Sequence, residues 1–232
     1  MDKIIIVAID GPAGAGKSTI ARSVAERLGF LYIDTGAMYR AIALWALRTG
    51  TALDDMHRLE VLAVTSMLEL IGPGRILLNG EDVSDAIREP AVSEAASKVA
   101  VVAGVRHALV EKQQALGEKT SVVMEGRDIG TVVFPEAQVK FYLDANPRIR
   151  ADRRALELNE RGQDFSLEDL EREIEERDRR DRARAHSPLR QAEDAVYLDT
   201  STLSLVEVED EILRVVRART SNGKSLTRQH VE

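Results

Sequence analysis

Near its start the chain carries Lys3-Ile4-Ile5-Ile6-Val7-Ala8-Ile9, an unbroken and largely β-branched apolar run. A strand exposed on one face would alternate polar and apolar positions, so this run predicts a strand covered on both faces, the central one of a parallel sheet. A helical pattern follows from Lys17 to about Leu28 and is stopped by Gly29; Phe30 to Ile33 reads as a second short strand. Residues 37–48 are helical in character and end near Gly50. From about residue 62 to 104 the texture changes. Gly72-Pro73-Gly74 leads into Arg75-Ile76-Leu77-Leu78-Asn79-Gly80, a hairpin signal, and an alanine-rich stretch of helical composition comes after it. Val105 to Leu116 reads as a further helix, and Ser121–Met124 and Val139–Leu143 as the third and fourth core strands. Pro147 opens a helix to about Arg161 with Gly162 as its stop, and Ser166-Leu167-Glu168-Asp169 resembles a capping box that starts a helix running toward Arg184. Ala195–Leu198 is the last strand and Leu205 to about Arg219 the closing helix.

This alternation predicts an α/β fold with a core over 1–61 and 105–220, a small inserted α+β lobe over 62–104, and a disordered polar tail over 221–232. With 232 residues, 44% of them hydrophobic, the chain can bury one core and an insert but not two large independent domains. The absence of cysteine excludes disulfides, thiolate nucleophiles, Fe–S clusters and Cys-based zinc sites. The N-terminal apolar run, broken by Asp10 and glycines, is too short for a signal segment or a membrane span, so a soluble, cytoplasmic protein is expected. A formal charge of −7 speaks against a general nucleic-acid binder, although arginines concentrate between Arg148 and Arg190.

The strongest chemical signal is Gly11-Pro12-Ala13-Gly14-Ala15-Gly16-Lys17-Ser18, which matches G-x-x-x-x-G-K-[ST] between a predicted strand and a predicted helix. Glycines let the backbone curl until successive N–H groups and the helix N-terminus face one phosphate. Lys17 would reach the β- and γ-oxygens of ATP, and Ser18, or the adjacent Thr19, would offer a hydroxyl to Mg²⁺.

A phosphate loop does not say what becomes of the nucleotide. Asp34-Thr35-Gly36-Ala37-Met38-Tyr39-Arg40 lies where ligands bind in an open α/β sheet, and Arg40 can fork onto an acceptor phosphate or be an ordinary exposed helix arginine. After the third strand comes Glu125-Gly126-Arg127-Asp128-Ile129-Gly130-Thr131, where three charged groups would crowd a sheet edge unless a ligand or metal pairs them. Arg177, Asp181 and Arg184 fall at i, i+4 and i+7, so two cations and a carboxylate can face one ligand; Glu173 with Arg177 and Glu176 with Arg180 would instead make a solvated face. Arg150, Arg153 and Arg154 form a similar cluster on the preceding helix, and the two helices, joined near Gly162, look like a mobile arginine-bearing flap. His57, His107, His186 and His230 sit in no motif.

Taken together, the phosphate loop, Asp34 to Arg40, Gly80-Glu81-Asp82-Val83-Ser84, Gly126 to Pro135, and Arg177-Asp178 through Pro188-Leu189 resemble bacterial cytidylate kinases over residues 3 to 218. The resemblance implies a five-stranded parallel sheet flanked by helices in a three-layer P-loop fold, a monophosphate-binding insert at 62–104 and a short helical lid at about 150–165. It implies ATP as donor, Mg²⁺ as cofactor, CMP or dCMP as acceptor with UMP used weakly, and a monomer. It also implies that Arg40, Arg127 and Arg184 hold the acceptor phosphate, with Tyr39 beside them, and that Arg177 and Asp181 address the ribose. Thr35, Ser97, Arg106 and Asp128 would read the cytosine, while Arg153 and Arg154 would lie over the transferring phosphoryl. Two positions depart from the family pattern: Glu125 stands where Asp is frequent, and Ser18 carries a hydroxyl often absent there. The nearest rivals are a shikimate or adenylate kinase, which share the loop but not Ser97, Arg106 and Asp128, and a GTPase-like switch, which would need an Asn-Lys-x-Asp guanine motif that is missing.

Overall fold

A computed structural model describes residues 3–220 apart from 73, 161 and 163. The predicted tail at 221–232 lies outside the described residues. The first half of the chain runs β1 (Ile6–Asp10), α1 (Lys17–Leu28), β2 (Leu31–Asp34), α2 (Thr35–Arg48), α3 (Met56–Thr65), β3 (Leu68–Gly72), β4 (Arg75–Leu78), β5 (Glu81–Asp82), α4 (Pro90–Val99) and α5 (Ala103–Gly117). The second half runs β6 (Val122–Gly126), β7 (Val139–Asp144), α6 (Pro147–Asn159), α7 (Leu167–Arg182), β8 (Val196–Asp199) and α8 (Leu205–Thr220).

Five strands form one parallel sheet in the order β2-β6-β1-β7-β8, which puts β1 at its centre as the unbroken apolar run requires. Alternate residues of β1 enter different cores. Val7 and Ile9 pack with Ile20 and Val24 of α1 and Ile212 and Val216 of α8, whereas Ala8 faces Ile33, Met124 and Ile129. The register sets Asp34 of β2 opposite Glu125 of β6, and Asp10 of β1 opposite Gly126. Charged strand ends are thereby gathered along one sheet edge.

Residues 62–104 carry the antiparallel sheet β3-β4-β5 and the helix α4. Their apolar side chains do not close a separate core. Ile76, Leu78 and Val92 share one buried cluster with Met38 and Ile42 of α2, Leu59 of α3 and Leu109 of α5. α6 and α7 pack on each other through Ala151, Leu158, Leu170 and Ile174. Ser166 caps α7 by accepting from the Asp169 amide at 3.3 Å. α7 ends at Arg182, so Arg184 sits in the turn beyond the helix and not on it as the sequence pattern predicts.

Candidate active site

The glycine loop joins β1 to α1 with positive φ at Gly11, Gly14 and Gly16. At Gly11 the constraint is also one of space, because a Cβ there would overlap the Leu143 carbonyl of β7. Lys17 opens α1 and is buried, and its ammonium donates to the Pro12 carbonyl at 2.7 Å. Burial, with the Arg127 charge second, pushes it down to about 7.

Ser18, not Thr19, meets a carboxylate: its Oγ donates to Glu125 Oε2 at 3.0 Å. The other oxygen of Glu125 accepts from the Tyr32 hydroxyl at 2.5 Å, so this end of β6 is held by groups from α1 and β2. Burial and the nearby Asp34 raise the Glu125 carboxyl. A hydroxyl over a carboxylate is a hard-oxygen pair that suits Mg²⁺, which takes few protein ligands. Among the described residues no cluster of three or more His, Cys, Asp or Glu offers an alternative cage.

On the acceptor side the fold assembles cations from three separate stretches: α2, the turn after β6, and the end of α7. Asp34 caps α2, accepting from the Ala37 amide at 2.9 Å, and pairs with Arg40 at 2.8 Å. Asp181 is 1% exposed and holds two guanidiniums at once, Arg127 at 3.0 Å and Arg184. Burial would raise this carboxyl, but Arg127, Arg184 and Arg177 outweigh it and keep Asp181 below its usual range. Arg177 is pushed down to about 10 by burial and then by the charges of Arg127, Arg40 and Arg184. Arg177 feels the repulsion of Arg127, Arg40 and Arg184, so these four guanidiniums lie near one another, and Lys17 feels Arg127 and Arg177 from the loop side. The buried Nε groups of Arg40, Arg106, Arg177 and Arg184 have no hydrogen-bond partner among the described residues. Unmatched donors clustered in this way fit a polyanion.

Beside this cluster Arg106 is ion-paired with Asp128, donates to the Ala100 carbonyl at 3.1 Å and lies over the Tyr39 ring, 5.4 Å from its centroid. Burial pushes the Tyr39 phenol up to about 12. Ser97 is buried on α4, and its hydroxyl has no hydrogen-bond partner among the described residues. Thr35, by contrast, donates its hydroxyl to the Glu125 carbonyl at 2.7 Å. Arg153 reaches the loop region, donating to Thr200 Oγ1 at 3.1 Å, to the Thr200 carbonyl at 2.6 Å and weakly to the Gly14 carbonyl at 3.4 Å. Arg154 turns aside to pair with Glu157 at 2.9 Å on its own helix. His57 and His186 are exposed, and His107 pairs at the surface with Glu111, 3.3 Å away.

Two supporting residues escape local reading. Asp10, at the end of β1, accepts from the amides of Ile129 at 2.8 Å and Gly130 at 2.7 Å. It thereby fixes the π-type turn Ile129–Val133 that follows Arg127 and Asp128. Burial pushes the Asp10 carboxyl up to about 7. Tyr32 is the other, and its phenol is raised by burial and by the adjacent Glu125. An acidic residue ending a central strand just before a glycine loop is the one sequence signal that points to Asp10.

A glycine cradle and a cluster of arginines, both at the C-terminal edge of a parallel sheet, mark the class of P-loop nucleoside monophosphate kinases. The chain belongs to the cytidylate kinase family, whose model, described as "Cytidylate kinase", matches residues 7–218. It is 60% identical over 227 residues to a cytidylate kinase of Solibacter usitatus (strain Ellin6076), covering 97% of each chain. It is 48% identical over 222 residues to that of Syntrophotalea carbinolica (strain DSM 2380 / NBRC 103641 / GraBd1), covering 94% of each. Among solved structures, an uncharacterized protein from Eubacterium ventriosum ATCC 27560 shares the fold alone, at 13% identity and a TM-score of 0.50, over 93% of this chain and 99% of that one.

Proposed function

We propose that the chain transfers the γ-phosphoryl of ATP to CMP or dCMP, giving ADP and CDP or dCDP. The observation that carries this reading is Asp181 holding Arg127 and Arg184 together while the buried Nε groups of Arg40, Arg177 and Arg184 have no hydrogen-bond partner among the described residues. Phosphoryl transfer proceeds through a loose transition state, so alignment and charge neutralisation do most of the work. The acceptor oxygen is already anionic near neutral pH and requires no strong general base, which agrees with His57, His107 and His186 lying at the surface; His230 is outside the described residues.

In this reading the loop amides and Lys17 hold the donor phosphates, and Arg40, Arg127 and Arg184 grip the acceptor phosphate. Arg177 and Asp181 address the ribose. Ser18, backed by Glu125, would hold Mg²⁺, which when bound would supply further neutralisation of the phosphate oxygens; among the described residues Thr19 has no such carboxylate. Arg153, beside Gly14, covers the transferring group, and Arg154 joins it only by releasing Glu157. The Arg106–Asp128 pair, with Ser97, reads the base. The carboxylate of Asp128 accepts from the exocyclic amine of cytosine, whereas uracil presents a carbonyl there, so UMP turns over weakly. The domain division at 62–104, the lid at 150–165 and a monomeric state belong to the same proposal. Among the described residues no helix is long and apolar enough to cross a membrane.

An acceptor panel read by coupled ADP release tests the assignment. Turnover is expected with CMP and dCMP, weak turnover with UMP, and none with AMP or shikimate. Robust AMP turnover without CMP turnover would overturn it.

A further inference from the structure

Arg150 sits one turn from Arg153 on α6, yet the fold gives it a different environment. Its side chain is 2% exposed, and three of its donors go to three different parts of the chain. Nε donates to the Ala145 carbonyl at 2.9 Å, just after β7. Nη1 donates to the Ala13 carbonyl at 3.0 Å, inside the glycine loop. Nη2 meets Asp178 Oδ2 on α7 at 2.6 Å. The loop also rests on the stem of this side chain, since a Cβ on Gly14 would stand 3.0 Å from Arg150 Cβ.

A buried charge pair of this kind is a poor choice for stability alone, because well-packed apolar residues of similar volume commonly do as well or better. Its distinctive property is geometric. A planar fork fixes its partners in direction as well as distance, and here they are the donor-side loop and the helix bearing the acceptor-side groups. Asp178 follows Arg177 directly and precedes Asp181 by three residues. Asp181 in turn holds Arg127 and Arg184. One guanidinium therefore stands between the phosphate cradle and the whole acceptor cluster. Three of its five N–H donors are thus committed to protein oxygens.

We propose that Arg150 is a positioning residue: it ties the glycine loop to α7, so that seating a nucleotide on the loop and setting the acceptor arginines occur as one coupled step. The proposal rests on the kinase reading above. Coupling between two sites is reciprocal in free energy, so it is measurable from either ligand.

The test is CMP affinity measured with and without the non-hydrolysable analogue AMP-PNP, together with melting temperature and steady-state turnover. In the wild-type chain AMP-PNP is expected to tighten CMP binding by about fivefold or more. Arg150→Lys keeps the charge but loses the fork. It should abolish that tightening and depress kcat by about tenfold or more, while CMP binding alone changes little. A folded Arg150→Lys variant with wild-type coupling and kcat overturns the proposal, as does a wild-type chain without coupling. Asp178→Asn must reproduce the loss and overturns the proposal if it retains the coupling. Should both variants fail to fold, amide hydrogen exchange on the wild-type chain decides: AMP-PNP alone must slow exchange in residues 174–182, and unchanged exchange there overturns the tether. That readout needs no acceptor turnover, so it separates failure of the tether from failure of the acceptor assignment.

Discussion

Guanidiniums crowded together disfavour one another's charge, and an anion among them relieves it. Arg184 shows the arrangement at its sharpest: its side chain is 6% exposed, burial lowers it, and Asp181 opposes that shift while also holding Arg127. Arg184→Met should therefore lower turnover by about 100-fold or more, the scale of losing one preorganised charge-stabilising group. Far-ultraviolet circular dichroism and an unchanged melting profile would show that the fold survives, and wild-type kinetics would remove Arg184 from the machinery. Asp10 makes a prediction of a different kind. A carboxyl raised to about 7 in the fold binds a proton between roughly pH 4 and 7 that the unfolded chain releases. More protons on the native state mean that this residue's contribution to stability falls as pH rises through that window. Asp10→Asn, neutral throughout, should show a shallower decline in denaturant midpoint from pH 5 to pH 8 than the wild type. Parallel slopes for the two proteins would contradict the burial of an ionisable Asp10.

At the scale of single elements, the Asp34 carboxylate does two jobs at the start of α2: it caps the helix and orients Arg40. Asp34→Ala should cost about 1 kcal/mol of stability from the lost cap. It should also raise the CMP KM severalfold through a less constrained Arg40, with kcat less affected, and an unchanged acceptor KM would show that Arg40 needs no such support. The five strands of the parallel sheet and most helices were legible in the sequence because their signals are local; β3 and β5 of the insert were not. β1 is an unbroken apolar run, Gly29 stops α1, and Pro147 and Ser166 open α6 and α7. α3 was not legible: only Leu59 and Ala63 of its ten residues are buried, too thin a stripe to stand out. The turn Ile129–Val133 could not be read locally either, since the carboxylate that holds it lies 119 residues earlier. The end of α7 fell two residues short of Arg184 because nothing in the arginine-rich run marks a stop.

For the molecule as a whole, the proposed reading makes ATP and CMP ligands of the folded chain. Ligands that bind the native state alone stabilise it by mass action, about 2.7 kcal/mol at a hundred times Kd. For a chain of this size CMP or ATP at that excess should raise the melting temperature by several degrees, and AMP as acceptor analogue should raise it less. Equal shifts with CMP and AMP would argue against base reading by Arg106 and Asp128. By itself the sequence determined the strand–loop–helix cradle, the order of the elements and the residue types of the site, because backbone conformation and hydrophobic period act over a few residues. Only the tertiary structure decided which charges meet. The sheet order β2-β6-β1-β7-β8 brings the ends of β1, β2 and β6 together and lets Asp181 reach Arg127 across 54 positions. It also separates three arginines of one short helix: Arg150 goes into the interior, Arg153 to the loop and Arg154 to the surface. All three lie within five consecutive positions, and what differs is the surface each one finds when α6 is packed.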